Sequence, residues 1–179
     1  MGQRGQIKVY ATNKKINLLR TDMNWYYKET YDHNLKSNEH DPTTDLNPCW
    51  ESKDLSRNIF LVNRLIANYE SINGPIKFLS KKITHSHPLR KDESWNYKFY
   101  SDSNTIIEED KDSRRSIYLL LNRDELDKYI AKSNSEEDIL ELSRFQHELT
   151  GKEKTLSDVL KELKKNHKEK YFMIYGHWS

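Results

Sequence analysis

The stretch DLSRNIFLVNRLIANYESINGP, residues 54–75, decides the fold class, because its apolar spacing permits one reading. Leu55, Ile59, Val62, Leu65, Ile66, Tyr69 and Ile72 recur at helical intervals, which predicts a helix over about 54–72 with a single apolar face. Ser52 is placed to cap its start. Asn73-Gly74-Pro75 ends it, since glycine offers the left-handed exit and proline forbids continuation. A helix with one apolar stripe needs a second layer to cover that stripe.

The flanking sequence supplies strands for that layer. Residues 7–12, 76–83 and 95–100 read as extended, and in the last of these Trp95, Tyr97 and Phe99 share a face because strand side chains alternate. Residues 105–109 and 116–121 form a hairpin around 110–113, with Ile117-Tyr118-Leu119-Leu120-Leu121 apolar enough for a central position. The C-terminal third turns helical. Asn122 with Glu125 is a capping pattern for a short helix to about Lys132. Ser135 with Asp138 opens a second, lined by Ile139, Leu142, Phe145 and Leu149, and Thr155 opens a third with Leu156, Val159, Leu160 and Leu163 inward. Residues 171–175 are a closing strand. The expectation is one α+β domain over 1–179: a mainly antiparallel sheet of about five strands, one long central helix, and a C-terminal helical cluster followed by a final strand. Residues 23–35 are aromatic and weakly helical, and 36–48 form a long loop rich in turn residues.

A length of 179 residues with 35% hydrophobic and 32% charged side chains describes a folded chain with a wide polar surface; mean hydropathy is −1.01. Aromatic content of 11% argues against disorder. Net charge is only +2, but it is segregated: residues 1–36 hold seven basic and three acidic side chains, 74–100 six and two, and 101–141 six and twelve. Such blocks can polarise a surface and steer a charged partner. The lone Cys49 makes no internal disulfide, and no apolar leader or spanning segment is evident, so a cytoplasmic protein with no membrane partner is expected.

Glycine stands at only five positions (2, 5, 74, 151 and 176), so neither GxxxxGK[ST] nor GxGxxG is present. That excludes the usual phosphate cradles of P-loop enzymes, kinases and dinucleotide-dependent dehydrogenases. His147-Glu148 opens like a zinc-protease motif, but Gly151 stands where the second ligand belongs. The loop set His33, His40, Asp41, Asp45 and Cys49 matches no zinc spacing.

Two constellations carry chemistry. In Thr84-His85-Ser86-His87, extended backbone would aim both imidazoles to one face, where they could share a divalent metal. Tyr129 stands 44 residues beyond His85, with Lys132 one turn later. Together these residues resemble the HUH replication initiators and relaxases. The resemblance implies a metal-dependent phosphodiester-cleaving enzyme in which His85 and His87 hold manganese or magnesium, Tyr129 attacks a DNA phosphate and Lys132 helps to orient it. Ser86 and Pro88 depart from that family's pattern. The second constellation interleaves Lys77, Lys81, Lys82, Arg90, Lys91 and Lys98 with Phe78, Trp95, Tyr97 and Phe99. Cations there would neutralise phosphates and aromatic faces would stack on unpaired bases.

The leading expectation is a non-catalytic protein without a cofactor, acting through a charged and aromatic surface. Its partner would be nucleic acid or a nucleic-acid-handling protein of defence or replication. The Lys-, Asn- and Ile-rich composition fits a phage or mobile element. A third class, an immunity protein, would use the acidic 101–141 region against a basic partner.

Overall fold

The computed structural model describes residues 5–52, 59–76, 83–86, 97–109, 114–135, 138–139 and 155–178. Seven strands form one antiparallel sheet: β1 (Gly5–Thr12), β2 (Trp50–Glu51), β3 (Ile83–His85), β4 (Tyr97–Ser101), β5 (Thr105–Glu109), β6 (Arg114–Asn122) and β7 (Tyr171–Trp178). Their order is β2-β1-β7-β6-β5-β4-β3. The C-terminal strand therefore lies between the N-terminal strand and the β3–β6 meander. Every residue of β7 is in register with β1, from Gly5 opposite Trp178 to Thr12 opposite Tyr171.

Both faces of this sheet are covered, and so its central strands read as near-continuous apolar runs. On one face Ile7, Val9, Ile117, Leu119, Leu121, Phe172, Ile174 and Trp178 pack under three helices. These are α2 (Ile59–Asn73), α3 (Leu126–Lys132) and α4 (Leu156–Asn166). The helices contribute Leu61, Val62, Leu65, Ile66, Leu126, Val159, Leu160 and Leu163, all essentially inaccessible. Each such side chain contributes about 1.5–3 kcal/mol by leaving water. On the other face Tyr10, Phe99, Ile106, Tyr118, Leu120 and Met173 meet Leu18, Met23, Trp25 and Tyr27. That second cover is the aromatic segment, whose only helix is α1 (Asn24–Thr30), followed by the 36–48 loop.

Several helix ends follow from their sequences. The Asp158 N–H donates to Thr155 Oγ1 at 3.3 Å and the Thr155 N–H to Asp158 Oδ2 at 3.2 Å, closing a reciprocal cap on α4. The Asn122 N–H donates to Glu125 at the short 3-10 turn Arg123–Glu125 that leads into α3. Gly74 leaves α2 with φ +83°, the left-handed exit anticipated from its position.

The sheet is larger than the sequence expectation, with seven strands among the described residues rather than about five, while α2, α3 and α4 stand where the long helix and the C-terminal cluster were expected and α1 is a further short helix in the aromatic segment. Two-residue β2 is too short to leave a periodic signal. Ser52 is drawn to the sheet, where its hydroxyl accepts the Ile7 N–H at 2.9 Å. The expected helix around 139–149 and most of the expected 76–83 strand lie outside the described residues. Among the described residues, no helix is long and apolar enough to cross a membrane.

Candidate polyanion-binding surface

Three strand ends meet at one edge of the molecule, because Tyr171 pairs with Thr12 on one side and with Asn122 on the other. The segments leaving them are rich in lysine. Lys14 and Lys15 follow β1, Lys165 stands in the last turn of α4, and Lys168 and Lys170 lie between α4 and β7. The backbone holds these segments together: the Lys170 N–H donates to Asn13 Oδ1 at 3.1 Å, and the Arg123 N–H to the Lys170 carbonyl at 2.9 Å. The Arg123 guanidinium donates to the carbonyls of Lys164 and His167, satisfying acceptors that the end of α4 leaves free. Lys164 is bridged to Asp127 at 2.8 Å, and His167 lies 3.9 Å from Glu169. By contrast Lys14, Lys15, Lys165, Lys168 and Lys170 are exposed, and none forms an ion pair among the described residues.

Beside Lys14 and Lys15 opens a groove of about 640 Å³, walled by residues 14–20 and by 38–46 of the long loop. The first wall is anchored on the sheet: the Ser101 hydroxyl donates to the Leu18 carbonyl at 2.8 Å and accepts the Arg20 N–H at 2.7 Å. Arg20 joins the walls. Its guanidinium donates to the carbonyls of Asn17 at 2.8 Å and Leu19 at 3.1 Å, crosses to that of His40 at 3.2 Å, and lies 6.0 Å from the Trp25 ring centre. Burial pulls its pKa down, opposed by the charges of Glu39 and Asp41; it remains a cation at neutral pH. Glu39 makes a second cross-link, accepting both the Thr21 N–H and hydroxyl at 3.0 Å.

The loop wall is held from beneath. Asp41 accepts the Thr43 N–H at 2.8 Å, the Thr43 hydroxyl at 2.6 Å and, from the sheet, the Tyr118 hydroxyl at 3.1 Å. Tyr118 lies against Tyr175 with ring centres 4.6 Å apart, and Trp25 meets Tyr118 edge-on. This explains the polar positions in otherwise apolar strands: they receive the loop. Asp41 is thus a structural acceptor. Cys49, also from the loop set, is buried with Sγ 3.3 Å from the Val9 carbonyl. Among the described residues, no group of three or more His, Cys, Asp or Glu is arranged to hold a metal.

A second polar row crosses the same face: Gln6, His177, Ser116 and Glu108 are cross-strand neighbours on β1, β7, β6 and β5. It contains the residue types of a hydrolytic triad in the wrong order. Ser116 donates to the Glu108 carboxylate at 3.1 Å, whereas a nucleophilic serine requires the imidazole between itself and the acid.

The residues singled out from sequence are dispersed. His85 is half-buried at the end of β3, and its Nε2 accepts the Met23 N–H at 3.3 Å, positioning the start of α1. Burial holds its pKa below the usual value, with Asp22 opposing. Tyr129 is 1% exposed in the helical layer, on the opposite side of the sheet from His85, and burial raises its pKa. The structure does not bring the two together. Lys132 is exposed at the end of α3. Tyr97 and Phe99 face inward under the aromatic segment, while Lys98 lies on the opposite, helix-covered face of β4 beside Glu109. His87, Lys77, Lys81, Lys82, Arg90, Lys91 and Trp95 lie outside the described residues. Missed altogether was the 161–170 segment, with five lysines to two glutamates. Its local charge excess was a readable signal, but its proximity to Lys14 and Lys15 follows only from β7 pairing with β1.

Comparison with models of known protein families, with curated proteins and with solved structures finds no match to this chain.

Proposed function

We propose that the chain is a non-catalytic binding protein that engages nucleic acid through the lysine-rich end of its sheet. One observation carries this reading: Lys14, Lys15, Lys165, Lys168 and Lys170 come from two segments about 150 residues apart, converge, and are left without carboxylate partners among the described residues. Ammonium groups of that kind are free to displace counterions from a phosphate backbone, the main source of sequence-independent affinity. Their spread over strand ends and a helix end suits an extended polyanion better than a small anion, which would need converging donors around one point. Such a protein would work in the cytoplasm, and its composition suits a phage or mobile element.

The test is fluorescence anisotropy of a labelled oligonucleotide across a salt titration. Five phosphate contacts give a slope of log K against log salt of about −3.5 for a single strand and about −4.5 for a duplex. The K14E/K168E/K170E variant is expected to lose most of the affinity and to flatten the slope. Absence of binding at low salt, or binding indifferent to the triple charge reversal, overturns the reading; a protein partner would then be the alternative to pursue.

A further inference from the structure

We infer that the groove beside the lysines takes one unpaired base, so that the ligand is a single strand rather than a duplex; this rests on the nucleic-acid reading above. The groove and the basic end share Lys14 and Lys15, so a backbone crossing the lysines passes the groove mouth. At about 640 Å³ it has the volume of a small-molecule site, ample for a nucleobase with its sugar, whereas a base stacked inside a duplex cannot enter. Its lining pairs apolar surface from Ile16, Pro42 and Leu46 with the exposed side-chain amide of Asn38, beside the carboxylates of Glu39 and Asp45; the Asn17 amide oxygen already accepts the Leu19 N–H at 3.1 Å. An amide offers a donor and an acceptor side by side, which matches a base edge. Arg20 adds a planar cation already fixed by three carbonyls, and a guanidinium plane is a surface on which an unstacked base can lie. Because its cross-links to His40 and those of Glu39 to Thr21 hold both walls in place, little ordering is required when a ligand arrives.

The experiment compares the full-length chain and its Asn38→Leu variant by anisotropy against a labelled 12-nucleotide single strand and the same sequence as a duplex. Asn38 is exposed, so the change removes the amide from the groove and puts in its place an aliphatic side chain that offers neither hydrogen bonds nor a stacking face. Wild type is expected to prefer the single strand by about tenfold. In the variant the preference is expected to fall while salt-dependent binding to both forms persists. Equal wild-type affinity for both forms, or a preference unchanged in Asn38→Leu, overturns the inference and leaves the nucleic-acid reading standing. Failure of wild type to bind either form removes both. Competition by a free nucleoside monophosphate at the concentration where the oligonucleotide competes assigns the groove to a mononucleotide instead and also overturns the inference. If the variant does not fold, photocrosslinking of a 4-thiothymidine-labelled single strand to the wild type decides. Adducts on residues 14–20 and 38–46 support a base in the groove, and adducts confined to 165–170 overturn it.

Discussion

The Tyr118 hydroxyl donates to the Asp41 carboxylate at 3.1 Å, tying the middle of a central strand to a loop 77 positions away in the chain. The same carboxylate organises the turn it belongs to through Thr43, and the Thr44 hydroxyl closes on the Asp41 carbonyl at 2.8 Å. One side chain therefore couples the groove wall to the sheet. Tyr118→Phe removes one charge-assisted bond and is expected to cost about 1.5–3 kcal/mol, read as a lower urea midpoint at unchanged slope. Asp41→Ala removes three bonds and should cost more. The Leu46 amide, which donates to the Thr43 carbonyl, should exchange faster in both variants. Unchanged exchange at that amide would mean that the loop is held by the Arg20 and Glu39 cross-links and the packing of Leu35 and Leu46, without the Asp41 carboxylate.

Tyrosine ionisation supplies the clearest pH dependence. Burial raises Tyr10 to about 12 and also raises Tyr26, Tyr27, Tyr118, Tyr129 and Tyr175 above the ordinary phenol value. A raised folded value means that the native state keeps protons which the unfolded chain releases. Their contribution is complete below pH ~10 and is lost as pH rises above it, with a slope of up to about 1.4 kcal/mol per pH unit for each tyrosine involved. Stability is therefore expected to fall steeply between pH 10 and 12. Phenolate absorbance should rise cooperatively with loss of the circular dichroism signal. Gradual ionisation of all eleven tyrosines near pH 10 with the fold intact would contradict this burial.

What could be read from the chain and what could not follows from the range of the interactions. The α2 stripe from Val62 to Ile72, the α4 cap, the pairing of 105–109 with 114–119 and the Gly74 exit are local patterns, and each is recovered among the described residues. The aromatic run at 23–35 has no periodicity that separates core from interface. Trp25 and Tyr27 are buried because the sheet presents a second apolar face, a fact that no window around residue 25 contains. The same limit applies to the site. Lys14 and Lys170 are neighbours only through β1–β7 pairing, and the groove depends on Arg20 reaching His40. The histidine and tyrosine that looked chemical locally are separated by the thickness of the sheet.

His85 illustrates how an imidazole earns a structural role. Its Nε2 can accept the Met23 N–H only when unprotonated, and burial already disfavours the charged form. The folded pKa lies below that of the unfolded chain. Its contribution is thus fully present above pH ~6.5 and is lost as pH falls through the window down to the folded value. The expected observation is an imidazole proton titration with a midpoint below 6.5. The Met23 amide should lose protection as the ring becomes charged. His85→Gln, whose side-chain carbonyl can still accept, should retain more stability than His85→Ala. A midpoint above 6.5 would contradict this burial and its acceptor role, and a shift on adding manganese would point to a ligand role instead.

Gly176 sits where β7 passes beneath α2, in register with Ile7 on one side and Ile117 on the other. A Cβ built there would stand 3.0 Å from Ile7 Cδ1, 3.2 Å from Val62 Cγ2 and 3.4 Å from Ile117 Cγ2. The conformation does not demand glycine, since the only positive-φ glycine described is Gly74. The requirement is room for the helix. Gly176→Ala gains about 0.4–1 kcal/mol from a less flexible unfolded chain but meets overpacking that costs about 1–3 kcal/mol. Only the nearest contact, Ile7 Cδ1, is the far end of a side chain, while the Val62 and Ile117 methyls stand on stiff β-branched carbons, so net destabilisation by about 1–2 kcal/mol is expected. Gly176→Val, with two further carbons in the same gap, should be markedly worse. Thermal unfolding of the two variants checks the order. An alanine variant more stable than wild type would show slack between α2 and the sheet, and the helix would then be held by its neighbours α3 and α4 rather than by close approach at this residue.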